Sequence, residues 1–332
     1  MIFEISLDNL RYNVRSLKAR AFGAKLIGVV KANAYGHGAT EVAKAIRGDV
    51  CAFAVANETE ARELAESGIT EPIIMLGGLL GGDRLPRNVV PTVTGFCDIK
   101  AAVGKCEGVA VAVNTGMNRY GCAPENAGVL VEFAESLGLA VRYVYTHIAD
   151  ETDVKRSDKQ LSDFICATKS IKAVKSAAAT CAVNLGEKYC LDAVRAGIGL
   201  YGYGAPDLKP VASAYAPIVA IRNVKRGDGV GYGDYTAERD MAIAIVAAGY
   251  ADGLMRRRGD LSTAINGVKC PAIGRICMDA SFFDVSGTEC KIGDRAYFLG
   301  NGAEMRDLCD CYDTIPYEVL TSFDRRSRKI FV

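Results

Sequence analysis

Eight apolar runs recur through the first 200 or so residues of this chain, and most are followed by an amphipathic stretch. They are Ala24–Val30, Cys51–Ala56, Pro72–Leu76, Val89–Val93, Val109–Val113, Arg142–Ile148, Ala178–Val183 and Val194–Tyr201. A strand that is apolar on both faces must be covered on both, which is the situation of a parallel sheet wrapped by helices. Glu58–Ser67, acidic early, and Pro124–Leu137, with proline in its first turn, read as two of the wrapping helices. Eight such units in about 200 residues predict a closed (β/α)₈ barrel rather than an open doubly wound sheet.

The rhythm stops near Asp207 to Pro217. Beyond it the runs Ile218–Val224, Met241–Ala247, Leu261–Ile265, Ala280–Val285 and Arg295–Leu299 are bounded by glycines, with no helical pattern until about Tyr317–Phe323. This predicts a second, mostly antiparallel β domain, with the barrel over 1–212 and the β domain over 213–332. The basic clusters Arg256-Arg257-Arg258 and Arg325-Arg326-Ser327-Arg328-Lys329 are expected on solvated faces.

Composition narrows the function. A net charge of +1 gives no pull towards nucleic acid or anionic membrane. No apolar run reaches the roughly 18 residues that a bilayer needs. The start, MIFEISLDNLRYN, lacks a basic segment followed by an apolar core, so a cytoplasmic protein is expected. The 12 cysteines are scattered, and Cys309-Asp310-Cys311 has no second pair at ligand spacing, so reduced thiols are expected and no metal site.

In such a barrel, polar residues just past the strands' carboxyl ends share one rim. Here they are Lys31 and Tyr35, Asn114 and Arg119, His147, Asn184, and the glycine-rich Gly197-Ile198. A lysine directly after a buried strand admits two readings: a reactive amine of the Schiff-base kind, or an ammonium that reaches solvent. His147, one of two histidines, gains weight from sharing that rim. Gly197-Ile198-Gly199-Leu200-Tyr201-Gly202 spells a dinucleotide fingerprint, yet no helix and acidic residue follow as a Rossmann unit requires. It fits better as a backbone cradle for a phosphate.

Together these stretches resemble the alanine racemase family. The resemblance rests on Val29-Val30-Lys31-Ala32-Asn33-Ala34-Tyr35-Gly36-His37-Gly38, Asn114-Thr115-Gly116-Met117-Asn118-Arg119, Tyr145-Thr146-His147, Arg195-Ala196-Gly197-Ile198, Gly231-Tyr232-Gly233, Gly249-Tyr250-Ala251-Asp252-Gly253 and Gly274-Arg275-Ile276-Cys277-Met278-Asp279. It implies a pyridoxal 5'-phosphate (PLP) enzyme that interconverts L- and D-alanine, supplies peptidoglycan synthesis, and works as a homodimer with shared active sites. Lys31 would hold the cofactor and serve as one base, and Tyr232 of the partner subunit would be the opposite base. His147 would hydrogen-bond that tyrosine, and Arg195 would face the cofactor's ring nitrogen. Tyr35, Asn184, Gly197 and Ile198 would hold the phosphate. Arg119 and Met278 would bind the substrate carboxylate, and Tyr250 would line the entrance.

The chain also departs from the family pattern. Leu185 follows Asn184 where a serine is usual, Ala112 stands where many members carry a modified lysine, and Asn114 replaces an aspartate. Arg325 or a neighbour occupies the place of a terminal tyrosine. The serine racemases linked to vancomycin resistance share that last change, so serine is the alternative substrate. A PLP carrier without turnover is the alternative of another class, though such barrels lack a β domain.

Overall fold

The predicted barrel strands are present in the computed structural model, shifted by a few residues and, for the seventh, moved altogether. Residues 1–79, 82–233, 235–256 and 259–332 are described. Arg257 and Arg258 of the basic cluster therefore lie outside the described residues. The chain divides into two compact units, one of 9–34 and 39–209, the other of 1–8, 35–38 and 210–332.

After β1 (Ile2–Ile5), which pairs in the second unit, come β2 (Lys25–Val29), β3 (Ala52–Val55), β4 (Ile73–Gly78), β5 (Val89–Val93), β6 (Gly108–Ala112), β7 (Ala140–Tyr145), β8 (Val174–Ser176) and β9 (Ala193–Ala196). These eight form one parallel sheet in the order β8-β7-β6-β5-β4-β3-β2-β9. Every residue of β3, β5, β6 and β9 is buried, as strands covered on both faces require. The seam between β8 and β9 is sealed by the Arg195 amide donating to the Ala178 carbonyl at 3.0 Å. The helix Glu58–Glu66 starts on Asn57, whose Oδ1 accepts from the Glu60 amide at 3.0 Å, and Pro124 opens a 3₁₀ turn before the helix Ala127–Ser136.

The segment Ala178–Val183, read as the seventh strand, is not one. The strand is β8, and Cys181–Leu185 forms a 3₁₀ turn. Small apolar residues satisfy a strand pattern but do not demand it, and the Thr180 hydroxyl caps nearby amides instead of joining a ladder. Similarly β9 ends at Ala196, and Ile198–Tyr201 turns into a 3₁₀ helix.

The second unit is a mostly antiparallel sheet built from β10 (Ala212–Val224), β11 (Met241–Val246), β12 (Ser262–Ile265), β13 (Val268–Ile273), β14 (Ser281–Asp284), β15 (Arg295–Leu299) and β16 (Arg328–Phe331). Its order is β11-β14-β13-β12-β15-β10-β1-β16, and an added β10–β11 pairing curls it back on itself. β10, thirteen residues long, is the shared edge: it pairs with β1 and β15 at one end and with β11 at the other. Val230, Ala237, Met241, Ile243 and Ile273 make a core cluster here, with Phe282 packed against it. The basic tail is not simply a solvated run. Arg326 grips the buried Asp252 through two hydrogen bonds of 3.0 and 3.1 Å, and Arg328 begins β16, which lies parallel to β1.

Candidate active site

In the barrel unit the site grows from the carboxyl end of β2. Lys31 is half-buried there, and burial together with the Arg119 guanidinium lowers its amine's proton affinity, while Glu60 partly restores it. The chain leaves Lys31 through four successive residues in the left-handed region, Ala32 to Tyr35, with φ from +50 to +55°. Non-glycine residues there cost roughly 1–2 kcal/mol each, so this turn is strained. Within its barrel part, Ala34 N–H donates to the Val30 carbonyl at 2.8 Å, Asn33 Oδ1 accepts from the Ala39 amide at 2.8 Å, and the Ala32 amide donates to Glu60 Oε1 at 2.9 Å.

Arg195 is the buried cation of the rim. Its guanidinium donates to the Ser176 hydroxyl and carbonyl and to the carbonyls of Thr146 and Ala177, and it lies 5.2 Å from the Tyr145 ring centroid. Another bond reaches His147 Nδ1 at 3.2 Å. A guanidinium only donates, so Nδ1 must accept and the neutral imidazole carries its proton on Nε2. Burial, then Arg195, Arg119 and Lys31, push His147 down to about 3. Burial lowers Arg195 only to about 10, so it stays charged at neutral pH.

The His147 segment hangs on one buried amide. Gln160 donates to the His147 carbonyl at 3.0 Å and accepts from the Ala149 amide at 3.0 Å. Arg156 of the same helix, Val154–Ala167, donates to the Gly116 carbonyl, tying down the loop that leads to Arg119. Asn114 makes its hydrogen bonds away from Arg119. It closes that loop, with Oδ1 accepting from the Gly116 and Asn118 amides. Arg119 itself is exposed, 5.9 Å from the Tyr120 ring centroid, and pairs with no carboxylate among the described residues.

The glycine cradle contains a residue that sequence reasoning missed. Thr180 Oγ1 accepts from the amides of Gly197 at 3.0 Å and Gly199 at 3.2 Å. With both lone pairs engaged, its own hydroxyl proton must point elsewhere, which makes Thr180 a committed donor. A Cβ at Gly199 would come within 2.6 Å of Thr180, so the glycine is required for this approach. Asn184 is exposed instead, with its amide donating to the Gly204 carbonyl at 3.1 Å and accepting from Arg20 at 3.1 Å. The signal for Thr180 was present in the sequence as a lone hydroxyl among small apolar residues ahead of the glycine-rich stretch. It was masked by the strand assignment over Ala178–Val183.

The β-rich unit gathers a second set. Tyr35 is buried with its ring 5.8 Å from that of Tyr317, and burial raises its phenol's proton affinity. Tyr250 and Met278 are locked together: the Tyr250 amide donates to the Cys277 carbonyl, and the Ala251 amide to the Met278 carbonyl. A Cβ on Gly249 would sit 2.2 Å from that last oxygen. Arg325 joins them by donating to the Tyr250 carbonyl at 3.1 Å. Tyr232, flanked by left-handed Gly231 and Gly233, stands out at 68 % exposure, and Met278 at 52 %.

A half-buried amine of lowered basicity, a buried guanidinium and a hydroxyl donor held by the Gly197 and Gly199 amides suit a cofactor that carries an aldehyde, a heteroaromatic ring nitrogen and a phosphate. Comparisons with known proteins agree. The profile of the alanine racemase N-terminal domain matches residues 5–205, and that of the C-terminal domain matches 211–331. The chain is 32 % identical to the alanine racemase of Photobacterium profundum, over 97 % of its own length and 96 % of that protein's. It superposes on an alanine racemase from Clostridium difficile 630 with a TM-score of 0.91 at 30 % identity, covering 100 % of this chain and 95 % of that one. A structure of alanine racemase from Bartonella henselae with covalently bound pyridoxal phosphate matches with a TM-score of 0.87 at 26 % identity, over 100 % and 99 % of the two chains.

Proposed function

The chain belongs to the alanine racemase family, and we propose that it is a PLP-dependent enzyme interconverting L- and D-alanine. The observation that carries the reading is the half-buried Lys31, its amine shifted towards the neutral form beside Arg119 and His147 at the end of β2. A neutral amine is the form that condenses with an aldehyde and the form that takes a proton.

Lys31 would hold PLP, with the Thr180 hydroxyl, the Gly197 and Ile198 segment and Tyr35 around the phosphate. Asn184, whose side chain is engaged with the Gly204 carbonyl and Arg20, would at most steady the loop beside that group. Bound there, PLP supplies the electron sink that acidifies the substrate's α-carbon. Arg195 would face the ring nitrogen; a guanidinium keeps its proton, which weakens the sink and limits side reactions such as transamination. Arg119, which pairs with no carboxylate among the described residues, would take the substrate's; the Met278 backbone would also contact that carboxylate, and Tyr250 of the partner subunit would line the entrance.

Inverting a stereocentre needs proton transfer on both faces of the α-carbon. Lys31 would work on one face and Tyr232 of the partner subunit on the other, in a homodimer with shared sites. His147 would assist Tyr232 through its Nε2–H. A cytoplasmic enzyme feeding peptidoglycan synthesis is the corresponding cellular role. No helix among the described residues is long and apolar enough to cross a membrane.

Incubating the purified protein with PLP and L-alanine tests this. D-alanine should appear, with the visible absorption of lysine-bound PLP. Loss of chirality in serine but not alanine, or no turnover at all, would sink the proposal.

A further inference from the structure

We infer that Glu60 is the positioning residue of Lys31: its carboxylate replaces the broken end of the β2–β3 ladder, holds the turn that aims the amine, and keeps a negative charge beside it. The inference rests on the functional reading above, because it gives that amine a task.

The backbone accounting is specific. Strands β2 and β3 run parallel with Val29 opposite Ala54, and the Val30 amide donates to the Ala54 carbonyl at 2.9 Å. Continued by two residues, the ladder would send the Ala56 amide to the Val30 carbonyl and the Ala32 amide to the Ala56 carbonyl. Neither bond forms. The left-handed turn takes the Val30 carbonyl for Ala34, and the Ala56 carbonyl accepts from Gly77 at 2.9 Å. Two donors lose their partners where the functional lysine begins.

Glu60 takes both of them. Its Oε1 accepts from the Ala32 amide at 2.9 Å and its Oε2 from the Ala56 amide at 2.7 Å. The side chain rises from the first turn of Glu58–Glu66, where Asn57 fixes its backbone. The two donors meet different oxygens of one group, an arrangement that a carboxylate offers and a carboxamide, with an NH₂ in place of one oxygen, does not. A glutamine could satisfy one amide only and would turn its NH₂ against the other. Aspartate is one methylene too short to bridge from the same Cα. The requirement is thus for an ionised acid of this length, and the same geometry sets a negative charge against Lys31. Burial and then Arg119 push the amine towards neutrality while Glu60 pulls the other way, so Glu60 tempers the fall in Lys31's proton affinity.

The test reads the amine directly. The full chain, stripped of cofactor, is pulsed with acetic anhydride across a pH series, and acetylation of Lys31 is followed by site-resolved mass spectrometry. Glu60→Gln should lower the labelling midpoint of Lys31 by about one pH unit, whereas Glu66→Gln on the same helix should leave it in place. A fall in thermal stability with an unmoved midpoint would reduce Glu60 to a structural brace and overturn the proposal. Should Glu60→Gln not fold, hydrogen exchange of the unmodified protein still decides: the Ala56 amide should be protected about tenfold or more, as expected of a bond to a charged acceptor. Exchange at the rate of an unbonded amide would overturn it as well. Borohydride trapping of PLP on Lys31 is the separate arm. Failure to trap would overturn the functional reading and this proposal with it, while trapping with an unmoved midpoint would overturn Glu60's role alone.

Discussion

The two units hold their candidate residues in opposite ways. In the barrel, Arg195 is buried, makes hydrogen bonds to Ser176, Thr146, Ala177 and His147, and so leaves the imidazole one tautomer. In the β-rich unit, Tyr232 and Met278 are presented on glycine-bounded loops with most of the tyrosine in water. The backbone under Met278 is well fixed, since its loop interlocks with that of Tyr250 and Asp252 ties the latter to Arg326. One set of candidate residues is thus fixed within the chain, and the other stands in solvent, where the proposed second copy of the chain would enclose it.

Removing one base from each unit is the strongest way to break that comparison. Lys31→Ala should cut racemisation by about 10⁴-fold and abolish covalent PLP, whereas Tyr232→Phe should cost about 10²–10³-fold and leave PLP bound. Solvent proton exchange from the two enantiomers should become unequal in Tyr232→Phe; equal losses in both directions would refute the two-face assignment. Mixing the two inactive variants and allowing them to reassociate should restore part of the activity. No recovery would place both residues' work within one chain.

The barrel's cradle offers a finer test. Thr180→Val removes the committed hydroxyl donor and leaves the Gly197 and Gly199 amides facing a methyl group, so PLP affinity should fall about tenfold to a hundredfold. Asn184→Ala should change it by less than about threefold, because its bonds run to Gly204 and Arg20. Equilibrium titration of the stripped protein by visible absorbance measures both, and a reversed order would return the phosphate role to Asn184.

These cases show what the sequence makes legible. Buried strands announce themselves through Val, Ile and Ala runs, so Val89–Val93 and Arg295–Leu299 are readable to the residue. β8 is not, because its three residues include a lysine and the serine that serves Arg195, and the more apolar Ala178–Val183 competes for the assignment. β1 and β16 are short strands whose partners lie over 200 residues away for β1–β10, a pairing that local pattern cannot carry. Lys31 and His147 stood out as polar residues at the ends of apolar runs, whereas Arg195, inside such a run, entered only through the family resemblance. Glu60 and Gln160 did not, since on a helix surface an acid or amide looks like solvent-facing polarity until the strand ends it serves are known.

Acid should separate the units next. His147 is held below its ordinary 6.5, at about 3, so the unfolded chain binds a proton there that the folded barrel refuses. The stabilisation is complete above about pH 6.5 and is lost as pH falls towards 3, at no more than about 1.4 kcal/mol per unit. With only two histidines in the chain, proton NMR can follow each, and His147 should keep its neutral resonance positions through pH 5. Titration near 6.5 would show that the Arg195 contact does not hold in solution.

The smallest effect concerns the turn itself. Ala32 is exposed with φ +52°, and glycine there would lose the left-handed penalty of roughly 1–2 kcal/mol while adding about 0.5–1 kcal/mol of chain entropy to the unfolded state. Ala32→Gly should therefore raise stability slightly, by up to about 1 kcal/mol, with a corresponding rise in melting temperature. Val268, exposed on β13 in the β-rich unit, provides the contrast: its backbone is ordinary strand, so Val268→Gly should only destabilise. If Ala32→Gly is stabilised yet racemises more slowly, the alanine is retained because it stiffens the turn behind Lys31, and the barrel trades stability for the aim of its amine. Unchanged turnover would instead make Glu60 and Asn33, rather than the strained residue, sufficient to hold the turn.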